Sequence, residues 1–202
     1  MNKETKEPKG WYCRGYLPHF DDGLSIQFIT LRLADSLPQK LLNQWKQELA
    51  LRDVENISRE TLLLVEKYLD KGYGECLLKR REVAEIVRDS LLHIGKNKCK
   101  LYSWVIMPNH LHCLLKPLEN NALDEIMHSL KSFTAHEINN VLNRSGRFWM
   151  RDYFDRYIRD EEHFQKAIRY IEMNPVKAGF CESAADWEFS SAWKPERRRP
   201  DG

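Results

Sequence analysis

From Ser25 to Leu33 apolar and β-branched residues follow one another without a clean polar face, which predicts a strand buried on both sides. After Pro38 the spacing turns helical, first through Leu41, Leu42, Trp45 and Leu49, then through Leu62, Leu63, Val65 and Leu69. A third stripe of Val83, Ile86, Val87, Leu91 and Ile94 predicts a helix over about 79–94, with Gly95 as its stop. Residues 98–117, KCKLYSWVIMPNHLHCLLKP, hold two apolar runs around a Pro108-Asn109 turn signal, as expected of a hairpin or a sharply bent strand. Helical spacing returns over 122–142 in Leu123, Ile126, Met127, Leu130, Phe133, Ile138 and Val141. Ser145-Gly146 then opens RFWMRDYFDRYIRD, read as an aromatic-rich strand, and Asp160-Glu161-Glu162 forms the acidic first turn of a last helix reaching about Met173. With 39–78 set aside as a helical insertion, the order is that of an α+β, ferredoxin-like β-α-β-β-α-β palm with an antiparallel sheet and one further helix. Residues 1–23 are expected to be an irregular arm docking its aromatics on a single domain, and 194–202 a short basic tail.

Composition narrows the setting. At 202 residues and 42% hydrophobic content the chain can bury a core, which excludes wholesale disorder. No apolar run approaches the roughly 20 residues of a membrane span, and MNKETKEPKG lacks the apolar stretch of a signal peptide. Five cysteines without a CxxC pair point to reduced thiols in the cytoplasm. A net charge of only +2 gives no compositional argument for nucleic acid, so such a partner has to be read from local features.

The first of these is Asn109-His110-Leu111-His112. On a strand, His110 and His112 share a face while Leu111 points to the other. They are either two ordinary strand histidines or a pair able to chelate one divalent ion with coordination positions left open, a catalytic rather than a structural arrangement. The zinc patterns HExxH and HxE with PCxxC are absent. On the last helix, Phe164, Ala167, Ile168 and Ile171 form the buried stripe, and Tyr170 and Asn174 lie one turn apart on its flank. Lys166 and Lys177 adjoin them if the helix continues that far. Tyr170 also fits the edge of a core, and Asn174, preceding Pro175, also fits the cap of a short turn.

Taken together, Trp104-Val105-Ile106-Met107-Pro108-Asn109-His110-Leu111-His112, Gly146-Arg147-Phe148-Trp149, Asp152-Tyr153-Phe154-Asp155-Arg156 and 170–179, YIEMNPVKAG, resemble the HUH single-tyrosine transposases of small insertion sequences. Within these the sequence is most similar to the REP-associated tyrosine transposases, over roughly 14–193, including the closing 187–192, WEFSSA. The resemblance implies a ferredoxin-like palm, with His110 and His112 as the metal-binding pair, Tyr170 as nucleophile and Asn174 as third ligand. Tyr153 and Tyr157 are the rival nucleophiles, but only Tyr170 has an amide four residues on. Asn stands where the best-known insertion-sequence enzymes have Gln, and the 39–78 insertion is long.

The activity implied by the resemblance is cleavage and rejoining of single-stranded or hairpin DNA through a 5′-phosphotyrosine, with Mg²⁺ or Mn²⁺ at the site. A homodimer is compatible with it. DNA contacts are expected from Lys131, Arg147, Arg151, Arg156, Lys166 and Lys177, with Phe148, Trp149, Tyr153 and Phe154 serving as stacking surfaces or as core. Metal proximity or Lys166 and Lys177 have to favour the phenolate, since no dedicated base is apparent in the sequence. A non-catalytic, domesticated repeat-binding protein is the first alternative, and an unrelated metal-dependent hydrolase the second.

Overall fold

The computed structural model describes residues 10–13, 18–51 and 57–195. Its centre is a four-stranded antiparallel sheet. β3 (Gln27–Arg32) and β5 (His110–Pro117) are the inner strands, and β4 (Cys99–Ile106) and β6 (Phe154–Tyr157) the outer ones, in the order β4-β5-β3-β6. α3 (Arg81–Asn97) connects β3 to β4, and α4 (Leu123–Val141) connects β5 to β6. Two interleaved β-α-β units of this kind are the ferredoxin-like arrangement, and both helices lie on one face of the sheet. α5 (Glu161–Lys177) covers the other, beside α1 (Gln39–Leu51) and α2 (Ile57–Leu69) of the insertion.

Because side chains alternate along a strand, β5 serves two different interiors. Leu111, Cys113 and Leu115 enter the large apolar core built with Val87 and Leu91 of α3 and Ile126, Met127 and Leu130 of α4. His110, His112 and Leu114 point the other way, where Phe28, Val105, Met107, Ala167 and Ile171 pack. β3 divides likewise, with Ile29 and Leu31 on the first face and Phe28 and Thr30 on the second.

Several boundaries differ from those expected. Within the 1–23 arm, β1 (Gly10–Cys13) and β2 (Pro18–Asp21) pair as an antiparallel hairpin, and Phe20 packs on Tyr157 with ring centroids 4.8 Å apart. The side chains of Trp11 and Tyr12, together with Tyr16 and the tail arginines 197–199, lie outside what the structure describes. Gly95 does not stop α3 but sits inside it, where a Cβ would come within 3.2 Å of the Leu101 Cβ, so a glycine there admits close helix-to-strand packing. Of the expected aromatic strand only 154–157 forms a ladder with β3, while Trp149 makes an isolated bridge with Leu33 and Met150 N–H donates to the Arg32 carbonyl. Phe148, Trp149 and Tyr153 are core residues under α4, with Trp149 Nε1 donating to Thr134 Oγ1 at 2.8 Å. Phe154 is buried against the insertion. These four rings are therefore core rather than stacking surfaces.

The last helix outruns its expected end. Asp160 caps it by accepting from His163 N–H at 2.7 Å, and it continues through Pro175 to Lys177 before Gly179 takes a left-handed φ of 75°. Pro175 forfeits only the bond it would have donated to the preceding turn. Burial of Ile171, Asn174 and Pro175, together with the Ala178 N–H to Asn174 carbonyl bond, keeps the final turn wound. Residues after α5 close the free edge of β4, with Ile106 N–H donating to the Phe189 carbonyl and Ser191 N–H to that of Trp104.

Candidate active site

The histidines and the α5 residues meet on the face away from α3 and α4. His110 and His112 have ring centroids 4.6 Å apart, and His112 lies 5.5 Å from the Tyr170 ring, with Phe28 packed against His112 and Tyr170. Asn174 is 1% exposed, one helical turn beyond Tyr170.

Each imidazole is held by its Nδ1. Asn109 donates its amide N–H groups to the carbonyls of Leu69 (3.1 Å) and Tyr73 (3.0 Å). Its oxygen is thereby turned to His110 Nδ1 at 2.7 Å, so that nitrogen carries the proton and Nε2 keeps a lone pair. His112 Nδ1 meets Thr30 Oγ1 at 2.9 Å. Burial holds the His110 pKa down to about 3, and burial with the neighbouring His110 lowers that of His112 too, so both rings are neutral near pH 7.

Nε2 of His110, Nε2 of His112, the Tyr170 hydroxyl and both amide atoms of Asn174 are buried without a hydrogen-bond partner among the described residues. Buried polar atoms left this way are costly and rare, and their convergence marks a place for a ligand. Neutral imidazoles anchored through Nδ1 and presenting Nε2, beside a carboxamide oxygen, fit a divalent cation. No group of three His, Cys, Asp or Glu side chains among the described residues is arranged to hold one, so such an ion depends on the two histidines and Asn174.

The insertion reaches the same place. Glu66 of α2 faces Tyr170, and Asp70 faces Asn174. Burial, with the carboxylates of Glu66 and Asp70, raises the Tyr170 pKa well above the usual phenol value. Lys177 Nζ sits 5.0 Å from the Tyr170 ring centroid, whereas Lys166 is exposed and paired with Glu162 at 2.6 Å.

The basic residues fall into two groups. Arg156, over the Phe28 ring at 6.0 Å, and Lys177 border the site. Lys131, Arg147 and Arg151 instead line a groove of about 510 Å³ beside α4, with His128 and Ser132, and Lys131 Nζ donates to the Arg151 carbonyl at 2.6 Å. Tyr153 is buried beneath that groove and Tyr157 contacts the N-terminal hairpin, so neither rival tyrosine joins the histidines. Reading the sequence did not single out Thr30, Glu66 or Asp70. Their partners are distant in sequence, and the one available hint was the i, i+4 spacing of two acids in a helical stretch.

Residues 76–174 match the family described as "Transposase IS200 like". Two curated relatives are named for REP-associated tyrosine transposases. One, from Escherichia coli K12, is 24% identical over 109 residues, covering 53% of this chain and 63% of that protein. The other, from Haemophilus influenzae Rd, is 30% identical over 111 residues, covering 48% of this chain and 63% of that protein. The chain thus spans under two thirds of either relative. A solved structure of a REP-associated tyrosine transposase bound to a REP hairpin shares the fold, with a TM-score of 0.54 at 18% identity over 94% of this chain and 91% of that one.

Proposed function

We propose that this protein is a REP-associated type of tyrosine transposase, which nicks and rejoins single-stranded DNA at repeat hairpins through Tyr170. The observation that carries this is the convergence of the unpartnered Nε2 atoms of His110 and His112, the Asn174 amide and the Tyr170 hydroxyl. The fold shared with a hairpin-bound transposase and the names of the two relatives support the substrate.

His110, His112 and Asn174 would hold a Mg²⁺ or Mn²⁺, which when bound supplies Lewis-acid stabilisation of charge on the scissile phosphate. Thr30 and Asn109 fix the two imidazoles so that Nε2 is presented. Packing of Ile171 and Ala167 fixes the α5 face from which Tyr170 attacks, giving a 5′-phosphotyrosine and a free 3′-OH. Arg156 and Lys177 lie where they would meet the backbone of the reacting strand. Lys131, Arg147 and Arg151 would take phosphates of the hairpin in the groove beside α4. Reduced thiols at Cys76, Cys99, Cys113 and Cys181 suit a cytoplasmic setting, and no helix among the described residues is long and apolar enough to cross a membrane.

The test is a denaturing gel with labelled hairpins carrying single-stranded flanks. Tyr170→Phe keeps the ring and its packing while removing the hydroxyl. A covalent adduct should form with the wild type and with Tyr153→Phe, and not with Tyr170→Phe. An adduct retained by Tyr170→Phe would disprove the assignment. Hairpin binding without an adduct from any variant would put a binding-only protein in its place.

A further inference from the structure

A phenol is protonated at neutral pH, so a tyrosine nucleophile needs somewhere for its proton to go. Neither histidine suits. Nδ1 of each is committed to Thr30 or Asn109, and each Nε2 belongs to the proposed ion site.

α2 supplies the missing group. Its C-terminal turn is bolted to the histidine motif by the two bonds from the Asn109 amide to the Leu69 and Tyr73 carbonyls. Val65 and Leu69 pack with Phe154 of β6, so the helix is fixed on the sheet as well. Glu66 in the last turn of α2 and Asp70 just past its end thus face Tyr170 and Asn174, one turn apart on α5. The Tyr170 hydroxyl makes no hydrogen bond among the described residues, and acid-base contacts such as the one it faces at Glu66 commonly tighten once substrate arrives.

We infer that Glu66 is the general base of the tyrosine attack, a role that rests on the strand-cleavage reading above and assigns the insertion a part in catalysis. The Oη–H proton passes to a carboxylate oxygen of Glu66 while an electron pair of Oη forms the bond to phosphorus. The P–O3′ bond breaks with its pair on the 3′ oxygen, which takes a proton from solvent. In rejoining, a 3′-OH gives its proton to solvent as its oxygen attacks the phosphotyrosine, the P–Oη bond breaks with its pair on Oη, and Glu66 returns its proton to the departing phenolate.

The groups facing Glu66 are Tyr170 and Lys177 of α5, Arg156 of β6 and Asp70 just past the end of its own helix. Burial raises its pKa to about 7, against the opposing pull of Arg156, which suits a proton acceptor working near neutrality.

The experiment is single-turnover cleavage of a labelled hairpin with a single-stranded flank by the full chain, across pH. Wild-type rate should rise with pH through a midpoint near 7. Glu66→Gln, which keeps size and hydrogen-bonding capacity, should bind the hairpin normally, cleave about 100-fold or more slowly and lose that midpoint. Glu66→Ala should be equally slow and regain rate when formate is added. A Glu66→Gln enzyme with wild-type rate and midpoint would overturn the role while leaving strand cleavage intact. A uniform loss that keeps the midpoint, with no formate rescue of Glu66→Ala, would also overturn it by showing a merely structural contact. If the wild type forms no adduct on any hairpin, the cleavage reading fails and the role of Glu66 fails with it.

Discussion

The two faces of one strand make the sharpest contrast in this molecule. On the α3 and α4 side, Leu111, Cys113 and Leu115 are fully buried among aliphatic neighbours, and the Trp149 indole N–H in the same core donates to Thr134. On the α5 side, His110 and His112 are buried as deeply, at 1% and 0% exposure, yet keep an unpartnered nitrogen each. Equal burial therefore has opposite meanings. Apolar burial stabilises the fold, whereas polar burial without partners costs stability and is kept where a ligand will use it. The face that holds the protein together and the face proposed to do its chemistry differ by a single residue of register.

The largest effect expected from breaking this contrast is on the polar face. Paired substitution of His110 and His112 by Ala, or chelator added to the wild type, should remove all detectable covalent adduct. The double variant should also lose the rise in melting temperature that Mn²⁺ is expected to give the wild type, a readout independent of DNA. Full cleavage by that variant in chelator would remove the metal from the proposal.

Next comes the apolar face of the same strand. Leu111→Ala should lower unfolding free energy by about 2–5 kcal/mol in denaturant titration, through lost burial and the cavity left behind. A loss well below that range would mean the α3 and α4 core is softer than its packing implies.

A third region, the junction of the N-terminal hairpin with β6, sharpens the comparison because its buried polar group is partnered. Burial by itself would lower the His19 pKa, but hydrogen bonds to Asp152 (2.9 Å) and Asp155, with both their charges, outweigh it and hold the value up to about 9. A pKa raised on folding contributes stability that is complete below the unfolded value near 6.5 and is lost as pH climbs through 9. Unfolding free energy from denaturant titration should fall across that window by an amount on the order of 2–3 kcal/mol, and His19→Gln should flatten the dependence. An unchanged slope in His19→Gln would place the titrating group elsewhere.

Smaller effects come from second partners and from the distant groove. Thr30→Val, which unties His112 Nδ1, should weaken Mn²⁺ binding about 10–100-fold in a calorimetric titration, with stability moving by only about 1 kcal/mol. Arg147→Ala and Arg151→Ala should each weaken hairpin binding and reduce its salt slope by about one, while leaving adduct formation at saturating DNA unchanged. A lost adduct at saturation would tie the α4 groove to the chemistry rather than to grip.

Local periodicity determined much of this protein from the sequence alone. Alternation placed His110 and His112 on one face with Leu111 opposite, and the three-and-four spacing of Ala167, Ile168 and Ile171 set Tyr170 and Asn174 on one flank. These are short-range properties, fixed by strand and helix geometry whatever the rest of the chain does. The end of α5 and the fate of the aromatic segment were not legible in that way. Whether Asn174 capped a turn or stayed helical depended on burial of the final turn around Pro175, and whether Phe148, Trp149 and Tyr153 were surface or core depended on the presence of α4 above them. Only tertiary structure decided which carboxylates meet the tyrosine. Glu66 lies more than a hundred residues before Tyr170, and its position follows from Asn109 gripping the end of α2, a long-range hydrogen bond that no local pattern encodes.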